Sequence, residues 1–154
     1  MTTQPDSHGA LSGALDVWPV CFDDEHRWQV GPNQARIAIL SPHVIGFELV
    51  GSLEANAFGV IEPCLARFLD RCPDTAHLFW DCERLDRHDS TSRDGLVTLL
   101  RTYRTRWKLA HVLYRSPLIG VTVSAVNLAV GGSVNGYRRR EEFRAAVEDA
   151  LANP

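Results

Sequence analysis

The spacing of apolar residues alternates along the chain between two periods, and each period predicts a different element. Short apolar runs bounded by turn residues are typical of strands and occur at residues 35–40, 44–50, 76–82, 109–114 and 133–137. Elsewhere the apolar residues recur at steps of three and four, which places them on one face of a helix. Such helices are predicted for residues 55–72, for the stretch that leads through Leu96, Leu99, Leu100, Tyr103 and Trp107, for residues 118–130, and for the stretch around Phe143, Val147 and Leu151.

The order of these elements predicts the fold class. Strands come first, and helices and strands then alternate, which favours an α/β fold. We expect a mainly parallel or mixed sheet of four to six strands with crossover helices. The strands at residues 44–50, 76–82 and 109–114 are expected at its centre. The predicted core contains Phe47, Leu65, Phe68, Leu78, Leu100 and Val112.

Local motifs indicate where several elements begin and end. The serine-proline pair at 116–117 is typical of an N-cap followed by proline in the first helical turn, and the glycine pair at 131–132 indicates the end of that helix. Pro63 predicts a kink or a new start within the first helix. Short β-prone runs at residues 16–22 and 27–30 suggest a peripheral hairpin.

Length and composition fit one domain. In a chain of 154 residues a second core would leave each half near the lower size limit, so residues 15–154 are predicted to form a single domain. Residues 1–14 lack the segments of a signal peptide and are predicted to be a disordered leader. The net charge of -3 disfavours nucleic acid as a partner, and residues 118–130 are too few and too polar to span a membrane. A cytoplasmic location is therefore expected.

Residues 77–92 carry a resemblance to a known family. A predicted strand ends at Asp81, a polar loop follows at residues 83–89, and Asp89-Ser90 stands at a predicted helix start. This order resembles the core of the STAS domain family, the anti-sigma-factor antagonists related to SpoIIAA. In that family a strand ending in Asp precedes a loop and an Asp-Ser-Ser-Gly helix start.

The resemblance covers about residues 35–152. The segment FELVGSL at residues 47–53 is similar to the family's second strand and the turn after it, and the later elements follow in the same order. The sequence departs from the family at residues 91–96, where the family's Ser-Gly-Leu continues as TSRDGL. The resemblance therefore supports the fold more than the activity.

The resemblance implies a non-enzymatic regulatory or scaffolding module, without a cofactor, that works by protein–protein contact. Its partner would be a serine/threonine kinase or an anti-sigma-like regulator. The family's phosphorylated serine corresponds by position to Ser90. The residues implied in phosphorylation or partner binding are Ser90, Asp89, Asp81, Thr91 and Arg93.

A plainer interpretation of the same residues is helix capping. Ser90 or Thr91 is then only an N-cap, and Thr91 and Asp94 form a pair similar to a capping box. Both interpretations place a helix start at this point of the chain.

A rival hypothesis is a small-molecule sensor or an enzyme. Its pocket would lie at the carboxyl ends of the strands, where Asp81, His88, Asp89 and Arg115 would converge. A closed pocket with converging polar groups would favour this rival, whereas a flat surface around Ser90 would favour the interaction module.

Hydrolase and metal sites are disfavoured by spacing. The consecutive residues 88–90 contain the letters of a catalytic triad but cannot aim their side chains at one another. Strand alternation is expected to send His77 and Asp81 to one face of the sheet and Cys82 to the other, which separates the only cluster of metal-ligating residue types. The four cysteines show no ligand spacing and are expected to be free thiols.

Overall fold

The structure, a computed structural model, describes residues 27–153. The strands in this range are β1 (Arg27–Val30), β2 (Asn33–Ser41), β3 (Val44–Leu53), β4 (Ala76–His88), β5 (Trp107–Tyr114) and β6 (Val134–Tyr137). The helices are α1 (Ala55–Arg71), α2 (Ser90–Thr102), α3 (Pro117–Ala129) and α4 (Arg140–Ala152). The predicted run at residues 16–22 and the predicted leader lie outside the described residues.

The six strands form one mixed sheet in the order β1-β2-β3-β4-β5-β6. The first three strands are antiparallel neighbours, and β3, β4, β5 and β6 are parallel. Each pair of neighbouring parallel strands is joined by a helix. Because β3 to β6 follow one another across the sheet and their crossovers have the same hand, α1, α2 and α3 lie on the same face of the sheet. The predicted α/β fold with a mixed sheet and crossover helices is confirmed.

The larger core lies between the sheet and helices α1 to α3. Its centre contains Phe47 and Trp80 from neighbouring parallel strands, whose rings stack with centroids 4.0 Å apart. All six predicted core residues are buried, which confirms that prediction. A smaller core on the opposite face packs Val44, Phe79 and Leu113 against α4.

The predicted polar loop at residues 83–89 is wrong, because β4 continues to His88. Beyond Cys82, where its pairing with β5 ends, β4 still pairs with the second half of β3. Leu85 is buried within this extension, while its neighbours are more exposed. A strand segment that is paired on one side only tolerates polar residues. The polar composition of residues 83–88 is therefore similar to that of a loop, although the segment is a strand.

The helical stripe was predicted to reach Trp107, but α2 ends at Thr102 and Trp107 begins β5. The turn folds the indole back under the helix, where its N–H donates to the Leu100 carbonyl at 2.9 Å. The side chain therefore packs beside the predicted stripe although its backbone is extended.

Two local predictions have different outcomes. Ser116 and Pro117 stand at the N-cap and the first residue of α3, as predicted. Of the two alternatives predicted at Pro63, a new helix start is wrong, because α1 is one helix through that residue, and a kink stays a prediction.

The smaller core contains a histidine whose burial makes stability depend on pH. His111 is 5% exposed, stacks on Phe79, and has Nδ1 2.9 Å from the Tyr137 hydroxyl. Burial, together with the nearby His77, lowers the pKa of His111 from 6.5 to about 4. The unfolded chain therefore binds a proton more readily between these values, and stability is lost as the pH falls through this range.

We expect His111→Gln to reduce this pH dependence. In the wild type, His111 alone accounts for a loss of about 2 kcal/mol of unfolding free energy between pH 7 and pH 5. The variant should start from a lower stability at pH 7 but decline less steeply. Urea unfolding at several pH values measures both quantities, and parallel slopes for the two proteins would contradict the prediction.

Candidate functional site

Two helices begin side by side at one edge of the sheet. In the register of the parallel strands β3 and β4, Leu53 lies opposite His88, so both strands end at the same level. Helix α1 starts at Ala55 directly after the first strand, and α2 starts at Ser90 directly after the second. The amino-terminal ends of two helices, each with unpaired backbone N–H groups and a partial positive charge, therefore meet.

Asp89 connects these two helix starts. Its Oδ1 accepts the backbone N–H of Ser92 at 2.6 Å, and its Oδ2 accepts the backbone N–H of Ala55 at 3.1 Å. Its own N–H donates to the Leu53 carbonyl at 3.0 Å. The pKa of Asp89 lies below its ordinary value, because the hydroxyl and the N–H of Ser92 both stabilise its carboxylate.

The capping prediction for Ser90 and Thr91 is wrong, because Asp89 is the N-cap. Ser90 and Thr91 are the first two residues of α2, and both are exposed. Asp94, proposed as the capping-box partner of Thr91, instead accepts from Arg93 Nε at 3.1 Å. The Ser90 hydroxyl is thus placed at a helix start without serving as its cap.

A shallow, open depression adjoins this helix start. It has a volume of about 330 Å³ and is lined by residues 52, 54–56 and 87–89. Arg87 and Glu54 are exposed on its wall, so it carries charges of both signs. Residues 52–56 were not predicted as part of the site, although the parallel pairing of β3 with β4 brings them to it.

His88 ties the end of β4 to helix α3. Its Nε2 lies 2.7 Å from the Thr122 hydroxyl, and its Nδ1 lies 3.3 Å from the Asp89 carbonyl oxygen. The Asp89 backbone is thereby held between α3 and the sheet edge.

Asp81 does not belong to this group. It lies in the middle of β4, not at its end, and its side chain is buried on the face covered by α4. Arg140 of α4 contacts it, with Nη2 3.3 Å from Oδ2, and also binds Glu83. Six residues of strand lie between Asp81 and His88, which corresponds to a distance of roughly 20 Å. The prediction that the strand ends at Asp81 is therefore wrong, and the structure does not bring Asp81 next to Ser90.

Asp81 instead belongs to a row of buried charges that the sequence did not reveal. Arg36, Glu48 and Asp81 are register partners on β2, β3 and β4. Glu48 Oε1 lies 3.0 Å from Arg84 Nη2 and 3.8 Å from Arg36 Nη1. Burial raises the pKa of both Glu48 and Asp81, while the surrounding arginines oppose that shift. Only the strand register brings these distant residues together.

The grouping expected for a sensor or an enzyme is not formed. Asp81 faces α4, whereas His88 and Asp89 line the open depression at the edge of the sheet. Arg115 is exposed after β5 and lines no part of that depression. The surface around Ser90 is open.

The cysteines of the described range are free. Cys64, Cys72 and Cys82 form no disulfide, and Cys21 lies outside the described residues. The predicted separation of faces is confirmed, since Cys82 points into the larger core while His77 stacks with His111 on the other side. Within residues 27–153, no three His, Cys, Asp or Glu side chains group as a metal site. In that same range no helix has the length and apolar character needed to cross a membrane.

Solved structures with a similar fold include the anti-sigma factor antagonist SpoIIAA in its unphosphorylated form. The TM-score is 0.59 at 16% identity, over 78% of this chain and 99% of that one. The Bacillus cell fate determinant SpoIIAA in its phosphorylated form gives 0.56 at 16% identity, over 73% and 98%. A DUF3478-family protein from Shewanella loihica, described as having a SpoIIAA-like fold, gives 0.54 at 14% identity, over 82% and 88%.

No family model and no curated protein matches the chain in sequence. At these identities the likeness concerns the fold, and it shows that the chain has a STAS/SpoIIAA-like fold.

We expect Asp89→Ala to lower stability by about 1–2 kcal/mol, because it removes the cap of α2 and the acceptor for the start of α1. Asp89→Asn should recover part of the loss, since asparagine is also a good N-cap. Ser116→Ala is the matched control, because the Ser116 side chain makes no capping hydrogen bond. Chemical denaturation measures all three, and equal losses for the two alanine variants would contradict the capping role.

A second prediction concerns the ion pairs of Arg140. Arg140→Met leaves the buried Asp81 carboxylate without its nearest cation and should cost about 2–3 kcal/mol at pH 7. Adding Asp81→Asn should restore roughly half of that loss, because the uncompensated charge is removed. Arg139→Met changes an exposed pair and should alter stability by less than about 0.5 kcal/mol. The idea fails if the double variant is no more stable than Arg140→Met alone.

Proposed function

We propose that this protein is a non-enzymatic regulatory module that acts by protein–protein contact through the surface formed by Asp89, Ser90, Thr91 and Arg93. The observation that carries the proposal is the position of Ser90. It is exposed at the first residue of α2, and its hydroxyl is not needed for capping because Asp89 performs that role. A modification of this hydroxyl would therefore leave the cap in place.

The surroundings of Ser90 suit a switch that is based on charge. A phosphate on Ser90 would meet the positive end of α2 and the exposed guanidinium groups of Arg87 and Arg93. Glu54, Asp89 and Asp94 supply three opposing charges, so these groups of the unmodified surface sum to only about one negative charge. Adding nearly two negative charges would change its electrostatic complementarity to a partner.

The comparison with SpoIIAA suggests the kind of partner. SpoIIAA is described as an anti-sigma factor antagonist and is known in unphosphorylated and phosphorylated forms. By analogy, the partner of this chain is a serine/threonine kinase or an anti-sigma-like regulator. Phosphorylation at Ser90 then dissociates this chain from its partner. The sequence departs from the family's Ser-Gly pattern at residues 91–95, and this segment contains residues of the proposed partner surface.

We expect Ser90→Asp to weaken a partner complex at least tenfold, while Ser90→Ala leaves it intact. The reason is that only the first variant adds negative charge to the contact surface. The measurement uses the tagged chain as bait in a lysate of its own source, with mass spectrometry to identify the bound protein and any phosphate on Ser90. Affinities are then measured with the purified partner.

Ser124→Asp is the matched control, because Ser124 is an exposed serine on α3. It should bind like the wild type. Equal affinities of the Ser90→Asp and Ser90→Ala variants would argue against a switch, and equal weakening by Ser124→Asp would show a general charge effect.

A further inference from the structure

An apolar cavity of about 80 Å³ lies between the sheet and helices α2 and α3, and Arg93 is the one residue of the proposed partner surface that lines it. Trp80 of β4 and Ala110 of β5 line it from the sheet, and Leu100 of α2 and Val126 of α3 line it from above. The surface presented to the cavity is apolar throughout. A cavity of this kind is not filled by water, since water would find no hydrogen-bond partners there.

The more exposed polar residues of the lining lie at the end of β4, near the start of α2 and in the middle of α3. The cavity's lining residues on the sheet are buried, whereas His88 and Thr122 are half-buried and Arg93 is exposed. These three polar residues therefore stand at the mouth. The mouth lies at the amino-terminal end of α2, where the helix dipole favours a negative group.

Size limits what can enter. An apolar cavity of about 150 Å³ holds a benzene molecule, so a cavity about half as large holds three or four carbon atoms. The cavity wall is apolar and the exposed side chain of Arg93 stands beside it, so the site matches a molecule with a thin apolar end and a negatively charged head. An alkyl chain meets this requirement, because the carbons that do not fit can extend through the mouth.

We propose that the cavity binds the end of a short alkyl chain whose carboxylate head lies at Arg93. The guanidinium of Arg93 has five N–H donors, and its contact with Asp94 is made through Nε, so further donors remain for a carboxylate. The Asp89 carboxylate is directed at the backbone N–H groups of Ser92 and Ala55 rather than at Arg93. The ligand class is thus a short fatty acid.

The test titrates sodium hexanoate into the full chain and follows backbone amides by NMR. The expected result is a saturable shift at lining residues such as Leu100 and Val123, with small changes on α4. 1-Hexanol has the same chain without the charge and should bind at least threefold more weakly. No saturable shift with either compound would overturn the proposal.

Two variants separate the apolar and the charged parts of the site. Ala110→Val adds two methyl groups to the cavity wall and should weaken hexanoate at least tenfold, while Ala35→Val is the same change at a buried strand position that does not line the cavity. Arg93→Gln, an exposed substitution that leaves the core intact, should weaken hexanoate at least threefold and leave 1-hexanol unchanged. The Arg93 variant keeps the test decisive if either valine variant fails to fold.

Other outcomes contradict the proposal. Unchanged binding in Ala110→Val places the ligand elsewhere, and equal binding of hexanoate and 1-hexanol excludes the carboxylate head. These measurements need no protein partner, so a negative result would not affect the proposal for Ser90. A negative result in the Ser90 experiment would likewise not affect the proposal for the cavity.

Discussion

The Asp89 carboxylate is the interaction on which the arrangement of the site depends. It accepts backbone N–H groups from the starts of both α1 and α2, which have no partners within their own helices. Since those helices follow adjacent parallel strands, one side chain fixes their separation at the sheet edge. Since Asp89 already satisfies the capping requirement, the exposed Ser90 is not needed for that role.

The two faces of β4 have different physical tasks. One face supplies Trp80 and Cys82 to a dry core beneath three helices, and the other supplies Asp81 to a row of charges covered by α4. Buried ion pairs add little stability when compared with apolar packing, but they tolerate few alternative registers. The charge row therefore favours one alignment of β2, β3 and β4, which sets where β3 and β4 end and hence where Asp89 stands.

The sequence predicted what depends on local periodicity and missed what depends on strand register. Apolar spacing was sufficient for the order of elements, the buried core and the position of Ser90 at a helix start. It could not show that β4 continues past Cys82, because those polar residues are held by pairing with β3. Asp81 was misplaced for the same reason, and the contacts of Ala55 with Asp89 join residues 34 positions apart.

Helix α2 links the partner surface to the cavity below it. Its first residues carry Ser90 and Arg93 at the surface, and Leu96 and Leu100, about one and two turns later, form part of the cavity wall. The helix has little freedom to move toward α1, because Gly95 lies so close to Phe58 that a Cβ would approach the ring to 2.7 Å. A ligand in the cavity would therefore displace α3 rather than α2, and this movement would affect the His88–Thr122 contact. His88 also lies near the Asp89 carbonyl through its Nδ1, so a shift at Thr122 would reach the partner surface through this histidine.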